Sequence, residues 1–278
     1  MKSEIKAYAK VNLFLDITGR LENGYHTLNT VMQQIDLYDN ITVGASDGDG
    51  IFIKCDNPAV PCNEKNIAYK AAAAFLTAAD KTARIDIDIR KNIPLEAGMG
   101  GSSTDGAAVL RALNEIYGFP FSIEKLCEIG GSLGADVPFC IAGGTAVCTG
   151  IGELLNPCEC KKDYVLAVVK PDFSCSTPAA YKAYDANPLP LNTDFTEFVA
   201  LLAEGSEKWA GKMYNVFEKL YDDGKIAAIT DIMRKNGAVN AILTGSGSAV
   251  FGVFDRKETA QAALEKLEAP FKIIVNPV

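Results

Sequence analysis

The segment Arg84-Ile85-Asp86-Ile87-Asp88-Ile89-Arg90 alternates polar and apolar residues without a break, and a glycine-rich run and a helix-forming stretch follow it. The period of two predicts a strand with one buried face and one wet face. The run after it is Ile93-Pro94-Leu95-Glu96-Ala97-Gly98-Met99-Gly100-Gly101-Ser102-Ser103-Thr104-Asp105. Gly98, Gly100 and Gly101 reach positive φ cheaply and let the backbone turn its N–H groups toward an anion. A glycine loop feeding a helix N-terminus suits phosphate, because unpaired N–H groups and the helix dipole both favour negative charge. Ser102, Ser103 and Thr104 add hydroxyls for phosphate or a metal ion. The helix is expected over Gly106–Tyr117. A flexible turn with a serine N-cap is the plain alternative, and Ser102 with Asp105 fits a loose capping box.

Two common nucleotide motifs are excluded. The Walker pattern needs Lys followed by Ser or Thr at the loop's end. No Lys follows these glycines, and neither Gly211-Lys212 nor Gly224-Lys225 precedes a hydroxyl. A dinucleotide fold needs a continuous apolar strand before its loop, which the Arg84–Arg90 alternation is not. Protein-kinase signatures are missing, and the only histidine is His26.

A net charge of −8 argues against a nucleic-acid partner, which requires a basic face. No apolar stretch approaches the ~20 residues needed to span a bilayer. Met1-Lys2-Ser3-Glu4-Ile5-Lys6 has no apolar core, so the expected location is cytoplasmic with no membrane partner. The eight cysteines lack the paired spacings of zinc sites, and one histidine cannot complete a Cys–His set, so they read as small hydrophobes.

Along the chain, Val11, Leu13, Leu15 and Ile17 share one strand face, leaving Lys10, Asn12, Phe14 and Asp16 on the other. Strands are expected at Val31–Leu37, Ile41–Val43 and Ile51–Lys54, and helices at Asn66–Ala79 and after Ser122. Gly, Pro and charged residues cluster at Gly150–Lys162, which places a linker there and domains over 1–152 and 153–278. Further strands are expected at Tyr164–Lys170, Ala238–Leu243, Ala249–Phe254 and Phe271–Val275, with helices over Thr177–Lys235 and Glu258–Leu267. Strands at both ends with helices between make the class α+β.

Lys10, Asn12 and Asp136 each read alone as solvated polar residues. Gly134 allows a sharp turn, and Pro138 is expected to keep Val137 extended, displaying Asp136 ahead of an apolar run. A carboxylate so placed accepts a hydroxyl proton if a lysine holds it ionised. A second glycine–hydroxyl loop, Thr244-Gly245-Ser246-Gly247-Ser248, fits either a hairpin turn or one side of a polyphosphate site shared with the first loop.

Over nearly its whole length the sequence resembles the superfamily of galactokinase, homoserine kinase, mevalonate kinase and phosphomevalonate kinase. The marks are Lys10 in Ala9-Lys10-Val11-Asn12-Leu13, the loop Pro94–Thr104 and the loop Thr244–Ser248. Gly24-Tyr25-His26-Thr27-Leu28 and Leu133-Gly134-Ala135-Asp136-Val137-Pro138 resemble the branch that acts on a cytidine diphosphate-linked methylerythritol. The resemblance implies a two-domain α+β fold: an N-terminal nucleotide-binding domain with a left-handed βαβ unit and a ferredoxin-like C-terminal domain. It implies ATP as phosphoryl donor, Mg2+ with it, and a 2-hydroxyl acceptor. Asp136 would be the base and Lys10 its partner. Pro94, Gly98, Met99, Gly100, Gly101, Ser102, Ser103 and Thr104 would hold ATP, with Asn66 and Lys91 near adenine and Ser103 or Thr104 meeting magnesium. Asn12 and Gly245 would contact the substrate, Tyr25 and Tyr181 would sandwich cytosine, and His26 would read its edge. Asn215 and Glu218 match an Asn-x-x-Glu element to which the resemblance gives no clear role. The loop departs from the superfamily pattern: Ser102 replaces a glycine and Ser103-Thr104 a serine pair. Alternatives are another kinase of the superfamily, whose substrate carries no nucleobase, and a non-catalytic nucleotide-binding module.

Overall fold

The computed structural model describes residues 1–220 and 224–278. The chain divides into two compact units, one formed by Met1–Ala9, Leu37–Ile93 and Gly100–Gly143, the other by Lys10–Asp36, Pro94–Met99 and Gly144–Val278. The expected division after residue 152 is continuous in sequence. These units instead draw on three segments each, because β1 (Lys2–Arg20) and β2 (His26–Ser46) run from one into the other.

In the first unit, β3 (Ile51–Cys55) and β4 (Arg84–Arg90) pair in parallel, joined through α1 (Ile67–Ala78) as a βαβ unit. The Asn40–Ser46 part of β2 pairs antiparallel with β4. The alternation in β4 is realised in full: Ile85, Ile87 and Ile89 are buried while the charged residues between them are exposed. Expected as two strands, β2 is one, continuous through Asp39. α1 packs on α2 (Gly101–Ile116), which also contacts α3 (Ile123–Gly131) and α4 (Val137–Ala142). Asn66 caps α1 and Ser122 caps α3 through their side-chain oxygens, each satisfying a first-turn N–H.

In the second unit, β5 (Thr145–Thr149) pairs with the Thr30–Gln33 part of β2 and with β6 (Leu154–Pro157). The expected linker therefore contains a paired strand. β7 (Val165–Lys170) is followed by α5 (Thr177–Ala186), α6 (Phe195–Leu201) and α7 (Ser206–Trp209). The two-residue β8 (Tyr214–Asn215) then pairs in parallel with β1 at Phe14 and Leu15. After α8 (Lys225–Lys235), β9 (Asn240–Leu243) and β10 (Val250–Phe254), the chain closes with α9 (Lys257–Glu265) and β11 (Phe271–Val275). Their antiparallel sheet has the order β11-β7-β10-β9. A βαββαβ path with that strand order is the ferredoxin-like arrangement. Its helix-facing core holds Ala167, Val169, Met233, Ala241, Val250, Ala260 and Leu264.

Lys10 and Asn12, each read alone as a solvated residue, are buried, and so is Asp16 on the same strand face. Phe14 lies among them and packs on Phe195, Phe198 and Tyr214, so side chains from distant sequence cover the second face of β1. Among the described residues no helix is long and apolar enough to cross a membrane. None of the eight cysteines, all among the described residues, is in a disulfide.

Candidate functional site

In the first unit the glycine loop turns into α2 five residues earlier than expected. Gly100 sits at the N-cap in the left-handed region, φ 72°, and offers no side chain to cap the first turn. Neither Ser102 nor Asp105 forms a capping box. Gly106, taken as the helix start, is interior: a Cβ there would lie 2.6 Å from Ile67 Cγ2 on α1, so its smallness serves helix packing. The first turn thus presents the backbone N–H groups of Gly101, Ser102 and Ser103, the arrangement that favours an anion. Ser102 is exposed and Ser103 half-buried, whereas the Thr104 hydroxyl is buried and donates to Tyr8 O at 2.6 Å.

Beneath that turn lies a cluster the sequence did not announce. The Lys91 ammonium donates to Asp39 and, at 2.8 Å, to Asp105, with all three side chains at most 4% exposed. A Cβ on Gly101 would stand 3.5 Å from Lys91 Nζ, so the ammonium adjoins the helix start. Asp39 also accepts from the backbone N–H of Ile93 at 2.8 Å and of Asn92, fixing the chain that enters the loop. The sequence held a signal: Asp39 falls in register with the buried Val31, Ile35, Leu37, Ile41 and Val43. A carboxylate on a core face demands a cation.

Burial pushes the Asp105 carboxyl up to about 8, with Lys91 opposing and Asp39 reinforcing the rise. Its Oδ1 is buried and without a hydrogen-bond partner among the described residues, which also disfavours the anion. For Lys91, burial works against the charge, yet the two carboxylates outweigh it and hold the ammonium above its ordinary range. Asp105 keeps in the folded state a proton that the unfolded chain releases near its ordinary value of 3.8. Its contribution therefore lowers stability as pH rises from about 4 to about 8. Asp105→Asn is expected to flatten the fall of melting temperature across that window; an unchanged slope would remove Asp105 as its source.

The second unit holds Lys10, Asn12, Tyr25, His26, Pro94, Gly98, Met99, Tyr181 and Gly245; Asn66, Lys91, Gly100–Thr104 and Asp136 belong to the first. Lys10 Nζ donates to Asn12 Oδ1 at 2.8 Å, Asn12 Nδ2 donates to Thr30 Oγ1 at 2.9 Å, and the Asn12 backbone N–H donates to Thr244 Oγ1 at 3.0 Å. The Lys10 backbone N–H donates to Met99 O. Early strand, glycine loop and late loop therefore meet within this unit.

The sequence left the late glycine loop as either a hairpin turn or one side of a polyphosphate site shared with the first loop. At Gly98 and Gly245 the two loops pack directly on each other. A Cβ on Gly98 would fall 2.2 Å from Thr244 O, and one on Gly245 2.7 Å from Gly98 O. The N–H groups of Ser248 and Ala249 donate to Glu96 O and Ala97 O. These glycines serve backbone contact.

His26 is buried; its Nε2 pairs with Asp185 Oδ1 at 2.7 Å and its ring stacks on Tyr181, centroids 4.9 Å apart. Tyr181, expected across a base, lies against His26 itself and against Phe217. Tyr25 is 59% exposed and leaves an aromatic face open. In the first unit, half-buried Asp136 is the N-cap residue of α4 and makes no capping bond. Val137 is helical and not extended, because Pro138 stands in the first turn of α4, where its missing N–H costs nothing. Among the described residues no cluster of three or more His, Cys, Asp or Glu is placed to hold a metal.

Two family models match the chain, GHMP kinases N terminal domain over residues 66–144 and GHMP kinases C terminal over residues 194–273. A Clostridium perfringens protein named 4-diphosphocytidyl-2-C-methyl-D-erythritol kinase is 41% identical, over 97% of this chain and 94% of its own length. The chain belongs to that kinase family. A Caldicellulosiruptor bescii member is 40% identical over 98% of this chain and 96% of its own. The crystal structure of a 4-(cytidine 5'-diphospho)-2C-methyl-D-erythritol kinase superposes with a TM-score of 0.83 at 30% identity, covering 99% of each chain. Family membership and the two units agree on a two-domain α+β GHMP kinase fold.

Proposed function

We propose that this chain transfers the γ-phosphoryl group of ATP to the 2-hydroxyl of 4-diphosphocytidyl-2-C-methyl-D-erythritol, the ATP-dependent phosphorylation step of non-mevalonate isoprenoid biosynthesis. The observation that carries the proposal is 41% identity to a kinase of that name along 97% of the chain. The proposed setting is the cytoplasm, with no nucleic-acid partner.

Phosphoryl transfer asks a protein for positioning and charge stabilisation more than for covalent chemistry. The first turn of α2, opened by Gly100 and free of a side-chain cap, is the proposed seat of the triphosphate. Magnesium arriving with ATP would supply charge neutralisation. Of the two hydroxyls expected to meet it, Thr104 is fully buried and Ser103 half-buried, so Ser103 is the more accessible oxygen. Lys10, buried and held by Asn12, is the proposed positive charge beside the reacting alcohol, and Asp136 the acceptor of its proton. Gly245 and Asn12 are proposed on the substrate side, and Asn66 and Lys91 near adenine, although Asn66 caps α1 and Lys91 is enclosed by carboxylates.

Exposed Tyr25 offers cytosine a stacking face, which contributes roughly 1–3 kcal/mol and tolerates any base. Selection for cytosine therefore needs an edge contact, proposed for His26 with Tyr181 behind its ring. The test is ATP consumption with the cytidylylated alcohol against the same sugar phosphate without its nucleotide. Turnover is expected with the first alone. Equal rates with both, or turnover of homoserine in their place, would defeat the assignment.

A further inference from the structure

The Asn-x-x-Glu element has no part in the reaction described above, yet its side chains are among the most fully engaged in the second unit. Asn215 is buried on β8, where parallel pairing sets it opposite Leu15 of β1. Its Nδ2 donates to Leu243 O at 2.8 Å and to Gly245 O at 2.9 Å, and its Oδ1 accepts from the Phe217 N–H at 2.9 Å. Both donors and the acceptor are used. Glu218 Oε2 accepts from the Leu243 N–H at 2.7 Å. The residues on either side of Thr244 are thus gripped, and the Thr244 hydroxyl accepts from the Asn12 N–H, while Asn12 holds Lys10.

The bonds close a circuit. β1 carries Lys10 and Asn12 and pairs with β8; β8 carries Asn215; Asn215 and Glu218 fix the late loop; the loop returns to β1 through Thr244. We infer that Asn215 and Glu218 are positioning residues that hold the Thr244–Ser248 loop in place and, through Thr244, hold Asn12 and Lys10. No smaller polar side chain replaces Asn215, since two carbonyls must be met at once. An aspartate there would turn both donors into acceptors facing carbonyls.

The inference rests on the proposed reading of Lys10 and Asn12 only for its kinetic consequence, so amide exchange and turnover are measured together on Asn215→Asp, Glu218→Ala and Glu218→Gln in the intact chain. Asn215→Asp and Glu218→Ala are expected to speed exchange at the Asn12 N–H while Val168 on β7 keeps its protection. Both should lower kcat with the cytidylylated alcohol about tenfold to a hundredfold, as small misplacements of reacting groups do. Glu218→Gln retains an acceptor for Leu243 and is expected to stay near wild type in both readouts. Unchanged Asn12 exchange in both disruptive variants would overturn the inference. So would equal loss of protection at Val168, which would make the element a general stabiliser. Wild-type chain inactive toward the cytidylylated alcohol would defeat the proposed function alone, leaving the exchange result to decide this point.

Discussion

Asp136→Asn is expected to cut turnover about a thousandfold, the middle of the range that general-base catalysis contributes, with binding of the cytidylylated alcohol kept within several-fold. The amide matches the carboxylate in size and still accepts hydrogen bonds, but it cannot take up a proton at neutral pH. A fold-level explanation for a loss that size is unattractive here. The start of α4 is secured by Pro138 in its first turn and by the buried Val137, Phe139 and Ile141. The melting temperature is therefore expected to stay near wild type. Steady-state rates beside calorimetric binding of the alcohol make the check. Turnover near wild type would remove Asp136 from the reaction, and a parallel collapse of binding would recast it as a substrate contact.

What the sequence disclosed and what it hid divide by range. β4 and β11 were legible to the residue, since Arg84–Arg90 and Phe271–Val275 are set by their own alternation or apolar run. The elements β9, β10 and α9 also followed from local patterns to within a few residues, whereas their ferredoxin-like order was expected only from the family resemblance. Burial of Lys10, Asn12 and Asp16 was not legible, because the rings that cover Phe14 come from Phe195, Phe198 and Tyr214, far along the chain. The break expected between Leu37 and Ile41 came from low strand propensity at Asp39 and Asn40. Asp39 stays in the strand because its carboxylate is consumed by Lys91 and by the backbone of Asn92 and Ile93. Gly106 was misread for a related reason: a glycine beginning a helix and a glycine admitting a neighbouring helix look the same until α1 is placed against α2. At the candidate site, residue types and their order were readable, whereas the bonds binding them, Asn215 to Gly245 or Lys91 to Asp39, depend on tertiary placement.

The largest stability effect is expected at Lys91→Met. Methionine nearly fills the volume but leaves Asp39 and Asp105 facing each other, buried, without a cation. Breaking a buried ion pair by removing one partner costs about 3–5 kcal/mol, because the remaining charge has lost both water and its counterion. A folded domain has only about 5–15 kcal/mol to lose. At about 2–4 °C per kcal/mol for a chain near this size, the melting temperature should fall by roughly ten degrees. Asp39 keeps its backbone donors in the variant, so the strain concentrates on Asp105, whose Oδ1 has no hydrogen-bond partner among the described residues and whose carboxyl already titrates near 8. Without Lys91 that carboxyl holds its proton more tightly still. The penalty should consequently be smaller at pH 6 than at pH 8, and a Lys91→Met, Asp105→Asn double variant should recover part of the loss at the higher pH. Urea midpoints for the three chains at both pH values decide the matter. A Lys91→Met midpoint equal to wild type at pH 8 would mean that the ammonium is not what balances these carboxylates. The turn at Gly100 would then owe its shape to that glycine and to helix packing alone.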